Sequence, residues 1–209
     1  MKKIKIKICG QTNPAIIEHC FNMGVDQQGL IFYEKSPRNL EDDTLRIINQ
    51  YFQSFRDKFV GVFVDPTLQQ IEEKLKIFDF DTIQLHGDED QMSINEIHER
   101  FQKKIYKSIT PENFQNTNLQ NISRFLIEGK PNNEDQPGGN NKTWNWENFR
   151  NPQNLPFILS GGLNQENLPE AINLTGSDFV DINSGVEETK GEKKLSLIDS
   201  LISSLKNNE

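Results

Sequence analysis

Residues 4–24 read IKIKICGQTNPAIIEHCFNMG and hold one complete strand-and-helix unit. The strict alternation from Ile4 to Cys9 predicts a β-strand, with the isoleucines on one side and Lys5, Lys7 and Cys9 on the other. Asn13 followed by Pro14 predicts the start of an amphipathic helix, and Gly24 predicts its end. The segment is therefore predicted to be a β/α unit.

Similar units follow along the rest of the chain. Further short apolar runs predict strands over residues 29–32, 59–64, 82–85, 104–108, 124–128, 157–160 and 178–182. Residues 131–143 are polar and rich in Gly and Asn, which predicts a long loop. Eight such units predict an α/β fold, a single-domain (β/α)8 TIM barrel over residues 1–209. An open doubly wound sheet is the alternative, but it usually has fewer strands, and no GxGxxG follows the first strand.

Composition narrows the class of protein. With 23 basic and 31 acidic residues the net charge is −8, which argues against nucleic acid or an anionic membrane as partner. A small anionic substrate needs only a local positive pocket. No apolar run is as long as a membrane span, and no secretion signal is visible. Because the two cysteines, Cys9 and Cys20, have no metal-binding spacing and nothing suggests export, we expect a cytoplasmic protein.

The barrel hypothesis selects candidate functional residues, because such barrels carry their sites at the carboxyl ends of the strands. The candidates are Cys9, Arg38, Asp65, His86, Glu128, Gly161, Gly162, Asp181, Asn183, Ser184 and Gly185.

Cys9 ends the first strand and precedes Gly10. A buried cysteine acting as a small apolar filler is the ordinary interpretation. Against it, Lys7 lies on the same face of the strand, where a cation would favour the thiolate. Both interpretations stay open on these residues alone.

Two loops of small residues predict a phosphate site. Gly161 and Gly162 follow the seventh strand, and Asn183-Ser184-Gly185 follows the eighth. Small residues let backbone N–H groups approach an anion, and barrel enzymes commonly hold phosphate in these two loops. Two ordinary glycine turns are the alternative.

The remaining candidates are polar side chains at the predicted mouth. Arg38 is either solvated or paired with a carboxylate. Glu128 and Asp181 are capping or ion-pair residues singly, but together they suit acid–base work, and we expect partial burial to raise the pKa of Glu128. His86 is expected to line the pocket. No second histidine stands at ligand spacing, so we predict no metal.

Seven segments in order resemble the phosphoribosylanthranilate isomerase family over nearly the whole chain. They are residues 7–12 (KICGQT), 29–38 (GLIFYEKSPR), 60–64 (VGVFV), 84–89 (QLHGDE), 138–146 (GGNNKTWNW), 159–164 (LSGGLN) and 180–187 (VDINSGVE).

The resemblance implies a reaction and a set of roles. The reaction is the Amadori rearrangement of N-(5′-phosphoribosyl)anthranilate in tryptophan biosynthesis, by a monomer or homodimer without a cofactor. Cys9 would be the base and Glu128 the acid. Arg38 would contact the anthranilate part and Asp181 the sugar hydroxyls. The Gly161-Gly162 and Asn183–Gly185 loops would hold the phosphate.

The chain departs from the family pattern in several places, of which Glu128 in place of an aspartate is the most important. The others are Asn140 where a third glycine is usual, Trp144-Asn145-Trp146 in place of Phe-Asp-Trp, and Leu195 in place of an aspartate. The alternatives are a non-catalytic or impaired phosphosugar-binding barrel and two neighbouring phosphosugar barrels. Of the latter, the histidine-pathway isomerase would need two aspartates, and indole-glycerol-phosphate synthase a lysine–glutamate pair.

Overall fold

The structure of the chain, a computed structural model, describes residues 3–129 and 143–206. Eight parallel strands pair in chain order, and the eighth pairs with the first, so the sheet closes into a barrel. The strands are β1 (Lys5–Ile8), β2 (Gln27–Ile31), β3 (Phe59–Phe63), β4 (Thr82–Leu85), β5 (Lys104–Ile109), β6 (Arg124–Ile127), β7 (Phe157–Leu159) and β8 (Phe179–Ile182). The predicted barrel is confirmed, and the strand limits differ from those predicted by up to two residues.

Alternation along each strand divides the apolar residues into two layers. One set fills the inside of the barrel and consists of Cys9, Val60, Val62, Tyr106, Leu126, Ile158 and Phe179. The other set, which includes Ile6 and Ile8, packs outward against the helices. The predicted two faces of β1 are thus found, with Lys7 and Cys9 buried inside.

Helices cover the outside of the barrel. They are α1 (Pro14–Met23), α2 (Asp42–Phe52), α3 (Leu68–Ile77), α4 (Gln91–Phe101), α5 (Pro111–Phe114), α6 (Leu168–Thr175) and α7 (Leu195–Lys206). At α1, the Asn13 side chain accepts a hydrogen bond from the Ala15 amide at 2.9 Å. Gly24 ends the helix with a φ of 92°, a conformation that favours glycine. Both predicted ends of α1 are confirmed.

Two connections differ from a regular β/α repeat. The link from β5 to β6 contains only the short α5, because residues 111–121 lack a helical apolar stripe. After β8, strands β9 (Glu187–Thr189) and β10 (Glu192–Lys193) form a small antiparallel hairpin that no sequence pattern predicted. Most of the predicted loop over residues 131–143, with Gly138 and Gly139, lies outside the described residues.

Among the described helices, none is both long enough and apolar enough to cross a membrane.

Candidate active site

The carboxyl ends of the strands surround a cavity at the mouth of the barrel. It is lined by Cys9, Ile31, Tyr33, Ser36, Arg38, Val62, Val64, Gln84, His86, Glu128, Ser160, Asp181 and Asn183. Six predicted site residues therefore meet in one cavity: Cys9, Arg38, His86, Glu128, Asp181 and Asn183. Gly161, Gly162, Ser184 and Gly185 do not line it, but they lie in the β7 and β8 loops at the same end of the barrel.

Cys9 follows β1 and is buried. A methyl group on Gly29 would lie 2.6 Å from Sγ, so the glycine in β2 makes room for the thiol. Burial raises the pKa of Cys9 above its ordinary value, although Lys7 acts to lower it. The effect of Lys7 therefore has the predicted direction but is smaller than that of burial, and the role of Cys9 as a base stays a prediction. Desolvation outweighs the cation.

Lys7 and Asp181 form a buried ion pair next to Cys9. Nζ of Lys7 lies 3.0 Å from Oδ2 of Asp181, across the β1–β8 seam. Burial alone would lower the pKa of Lys7, but the carboxylate of Asp181 acts in the opposite direction, and the pKa is raised. Oδ1 of Asp181 is buried and makes no hydrogen bond with any residue of the described ranges. A buried acceptor of this kind suits a polar group of a ligand.

Glu128 follows β6 and contacts His86 across the mouth. Oε1 of Glu128 lies 2.5 Å from Nε2 of His86 and accepts a hydrogen bond from the Ser108 hydroxyl at 3.1 Å. Burial would raise the pKa of Glu128, but His86 and Ser108 together lower it. The predicted rise is therefore wrong, because the sequence did not show that a histidine faces the carboxylate. Burial would likewise lower the pKa of His86, but Glu128 raises it.

Arg38 is held by a carboxylate that sequence reasoning did not assign. Its Nε and Nη2 donate to the two oxygens of Glu187, each at 2.7 Å. Lys193 also contacts Glu187, at 2.8 Å, and donates to the side chain and the carbonyl of Asn183 at 2.7 and 2.9 Å. Burial lowers the pKa of Lys193, against the opposing effect of Glu187. The β9–β10 hairpin thus ties the loop after β2 to the loop after β8.

The two small-residue loops lie against each other. Gly161 and Gly162 have φ values of 92° and 65°, which favour glycine. A methyl group on Gly185 would lie 2.0 Å from the Leu163 carbonyl oxygen, so the two backbones approach too closely for any side chain there. Trp144 donates from its ring nitrogen to the Ser160 carbonyl at 2.9 Å and packs beside Gly161.

Four further residues of the site received no role from the sequence: Gln84, Ser108, Glu187 and Lys193. Ser108 and Glu187 meet partners that are 20 and 149 residues away, so no local pattern marks them. Gln84 and Lys193 contact residues within ten positions, but no motif gave them a role. Gln84 and Glu187 do belong to the segments that resemble the family. In residues 3–129 and 143–206, no group of three or more His, Cys, Asp or Glu side chains is placed to hold a metal ion.

Comparison with known proteins points to one family. The family model described as N-(5'phosphoribosyl)anthranilate (PRA) isomerase matches residues 6–204. An N-(5'-phosphoribosyl)anthranilate isomerase of Sinorhizobium fredii is 32% identical over 214 residues, which cover 99% of this chain and 95% of that protein.

Solved structures agree in fold. A phosphoribosyl anthranilate isomerase from Thermus thermophilus has a TM-score of 0.81 at 23% identity, covering 99% of this chain and 100% of that one. A phosphoribosyl anthranilate isomerase in complex with reduced 1-(o-carboxyphenylamino)-1-deoxyribulose 5-phosphate has a TM-score of 0.75 at 27% identity, covering 98% and 99%. The chain therefore belongs to the N-(5'-phosphoribosyl)anthranilate isomerase family.

Proposed function

We propose that the protein catalyses the Amadori rearrangement of N-(5′-phosphoribosyl)anthranilate to 1-(2-carboxyphenylamino)-1-deoxyribulose 5-phosphate, a step of tryptophan biosynthesis in the cytoplasm. The observation that carries the proposal is that Cys9 and Glu128 line one cavity together with Asp181, which pairs with the buried Lys7. Family membership and the ligand in one solved relative support the same substrate.

The reaction needs one proton donor and one acceptor. Glu128 supplies a proton to the ring oxygen of the ribose as the bond from that oxygen to C1 breaks, and the nitrogen lone pair forms a protonated Schiff base. Cys9, as thiolate, then removes the proton from C2 and gives the enolamine. Transfer of that proton to C1 and loss of the proton of the 2-hydroxyl give the ketone and restore both groups. The steps require no cofactor or metal.

The charged groups suit a substrate that is anionic at both ends. Arg38 and Lys193 share the single carboxylate of Glu187, so this cluster of three carries one net positive charge. We propose that Arg38 binds the anthranilate carboxylate with its guanidinium plane fixed by Glu187. His86 and Asp181 contact the substrate between its ends, and Asp181 takes sugar hydroxyls through its unpaired oxygen.

We propose that backbone N–H groups of the β7 and β8 loops bind the phosphate, with Gly161, Gly162, Asn183, Ser184 and Gly185 as the site. The positive φ values of the first two glycines and the close contact of Gly185 with Leu163 support this placement.

We further propose that residues 1–209 act as one domain, as a monomer or homodimer. Light scattering of the purified protein would distinguish the monomer from the dimer.

The test is an assay in which a phosphoribosyltransferase makes the unstable substrate in place. We expect turnover by the natural sequence and loss of nearly all of it in Cys9→Ala. Cys20→Ala is the matched control, because Cys20 is also buried but lies on α1, outside the cavity. Tight binding of a product analogue without any turnover would contradict the proposal and identify a phosphosugar-binding barrel instead.

A further inference from the structure

Gln84 is a buried polar residue of the cavity to which the reaction above gives no role. It lies on β4, two residues before His86, and is 1% exposed. Its Nε2 lies 3.2 Å from Nδ1 of His86. Its Oε1 is buried and makes no hydrogen bond in the described part of the chain. Beside the imidazole, the Gln84 amide therefore makes a polar contact through Nε2, while its Oε1 lacks a hydrogen bond within the described residues.

The amide completes a row of polar groups that ends on the acid. The row runs from Gln84 to Nδ1 of His86, then from Nε2 of His86 to Oε1 of Glu128 at 2.5 Å. When Nε2 of Gln84 donates to Nδ1 of His86, Nδ1 carries no proton. The imidazole is then neutral, with its one proton on the Nε2 of His86. Rotation of the amide by half a turn brings Oε1 to Nδ1 and suits the charged imidazolium.

We propose that the Gln84 carboxamide is a positioning residue for the Glu128 acid: turned so that Oε1 accepts from Nδ1–H of His86, it favours the charged imidazolium, whose Nε2 proton passes to Glu128. The inference rests on the proposed function of Glu128. A carboxamide fits this task because its oxygen accepts from Nδ1–H without adding a charge, whereas a carboxylate would add a negative charge and an apolar side chain would not accept.

The proton balance is simple. The charged His86 and the ionised Glu128 together hold one transferable proton. That proton leaves Nε2 of His86 for Glu128, which passes it to the ribose ring oxygen as the electron pair of the breaking C–O bond goes to the same oxygen. His86 is left neutral, with its remaining proton on Nδ1. The proton released later from the 2-hydroxyl restores the pair. At each stage Nδ1 keeps its proton, and Oε1 of Gln84 accepts a hydrogen bond from it.

The other charged groups around His86 stay in place when Gln84 is changed. They are Lys7 on β1, Asp65 after β3, Lys107 on β5, Glu128 after β6 and Asp181 on β8. Lys107 is paired with Glu89 at 3.0 Å. A shift in the titration of His86 on substitution of Gln84 would therefore come from the amide.

The experiment follows His86 in the ligand-free protein by nitrogen NMR of labelled histidine. The chain has three histidines, and His86→Asn identifies the signal of interest. In Gln84→Leu the charged ring keeps a buried Nδ1–H without an acceptor, so we expect its titration midpoint to fall by roughly one to two pH units. In Gln84→Glu we expect the midpoint to rise, because a carboxylate accepts from Nδ1–H and adds an opposite charge.

Thr82→Val is the matched control, since Thr82 lies on the same strand, two residues from Gln84 and equally buried. We expect Thr82→Val to leave the titration midpoint of His86 unchanged.

The descending limb of kcat/KM against pH should move with the NMR midpoint in both Gln84 variants. The proposal is overturned if neither variant shifts His86, if Thr82→Val shifts it equally, or if the rate profile stays fixed while the NMR midpoint moves. If Gln84→Leu does not fold, the opposite shift in Gln84→Glu decides alone. The NMR result stands even if the protein turns over no substrate, so the two proposals fail separately.

Discussion

As the proposed base, Cys9 must lose a proton before it can accept one from the substrate, and its burial opposes that loss. Burial raises the pKa of the thiol, and the charge of Lys7 offsets only part of the effect because Asp181 also faces the site. A base whose pKa lies above its ordinary value is mostly protonated near neutral pH. The ascending limb of kcat/KM therefore belongs to Cys9 on this assignment.

We expect the titration midpoint of the Cys9 thiol to lie above that of an ordinary cysteine, because burial outweighs the charge of Lys7. The measurement is the ultraviolet absorbance of the thiolate in the Cys20→Ala protein, in which Cys9 is the one remaining cysteine. Lys7→Met should move the midpoint still higher, since it removes the cation that favours the thiolate. A midpoint below about pH 8.5 would show that the ion pair outweighs burial.

Two substitutions of Glu128 separate the contribution of its carboxyl group to turnover from that of the length of its side chain. We expect Glu128→Gln to lower kcat by about 100-fold to 10,000-fold, the usual contribution of a general acid. Glu128→Asp keeps the acid and shortens the side chain, so it should retain more activity than Glu128→Gln. Steady-state kinetics of both variants decide the matter. Parent-like turnover by Glu128→Gln would move the acid role elsewhere, with Asp181 the next candidate.

At the scale of elements, the β9–β10 hairpin positions two loops through one side chain. The pKa of Glu187 is lowered to about 2, because Arg38 and Lys193 outweigh the opposite effect of its burial. A carboxylate with a lowered pKa stabilises the fold above its unfolded pKa of about 4.3, and this stabilisation is lost as the pH falls towards 2.

We expect Glu187→Gln to destabilise the protein by about 3–5 kcal/mol near neutral pH, because it leaves two buried cations without their carboxylate. It should also raise KM by loosening Arg38. Denaturant unfolding at several pH values is the measurement, and the difference from the natural sequence should narrow below about pH 4.3. Glu188→Gln is the control, since that neighbouring side chain is 59% exposed and pairs with Lys194 at the surface. Equal effects of the two substitutions would contradict the positioning role.

Gly161 in the β7 loop has a matched comparison in Gly176, which lies at the end of α6. Gly161 and Gly176 both have positive φ, but a methyl group at Gly161 would lie 3.1 Å from Trp144, whereas nothing lies within 4 Å at Gly176. Both substitutions by alanine should cost about 1–2 kcal/mol of stability through backbone strain. Calorimetric titration with inorganic phosphate separates them. Only Gly161→Ala should weaken binding, and unchanged binding would argue against phosphate in this loop.

At the scale of the whole molecule, the barrel was predictable because each β/α unit shows its own periodicity. The alternation in β1 and the Asn13 and Gly24 signals are local, and they were found in the structure. At the mouth of the barrel, the sequence predicted which residues lie at the strand ends but not which of them contact one another. His86 meets Glu128 42 residues later, and Arg38 meets Glu187 149 residues later. Such pairs follow from closure of the sheet, so the direction of the Glu128 pKa was missed.

The pair of Lys7 and Asp181 sits where that closure happens, at the seam of β1 and β8. A buried ion pair is often no more stabilising than apolar residues of similar size, because both charges must leave water. Removing one partner is worse, since the other charge then stays buried alone. If the pair is present for chemistry, replacing both partners should restore stability but not activity.

We therefore expect Lys7→Met and Asp181→Leu each to lower the free energy of unfolding by about 3–5 kcal/mol. The double variant should recover most of that loss, since two uncharged side chains can then pack inside the barrel. Chemical denaturation of the four proteins gives the coupling energy of the pair. Turnover should be absent in the double variant, because it lacks both the cation beside Cys9 and the free Asp181 oxygen. A double variant as unstable as the sum of the single ones would instead mean that the pair holds the seam of the barrel together.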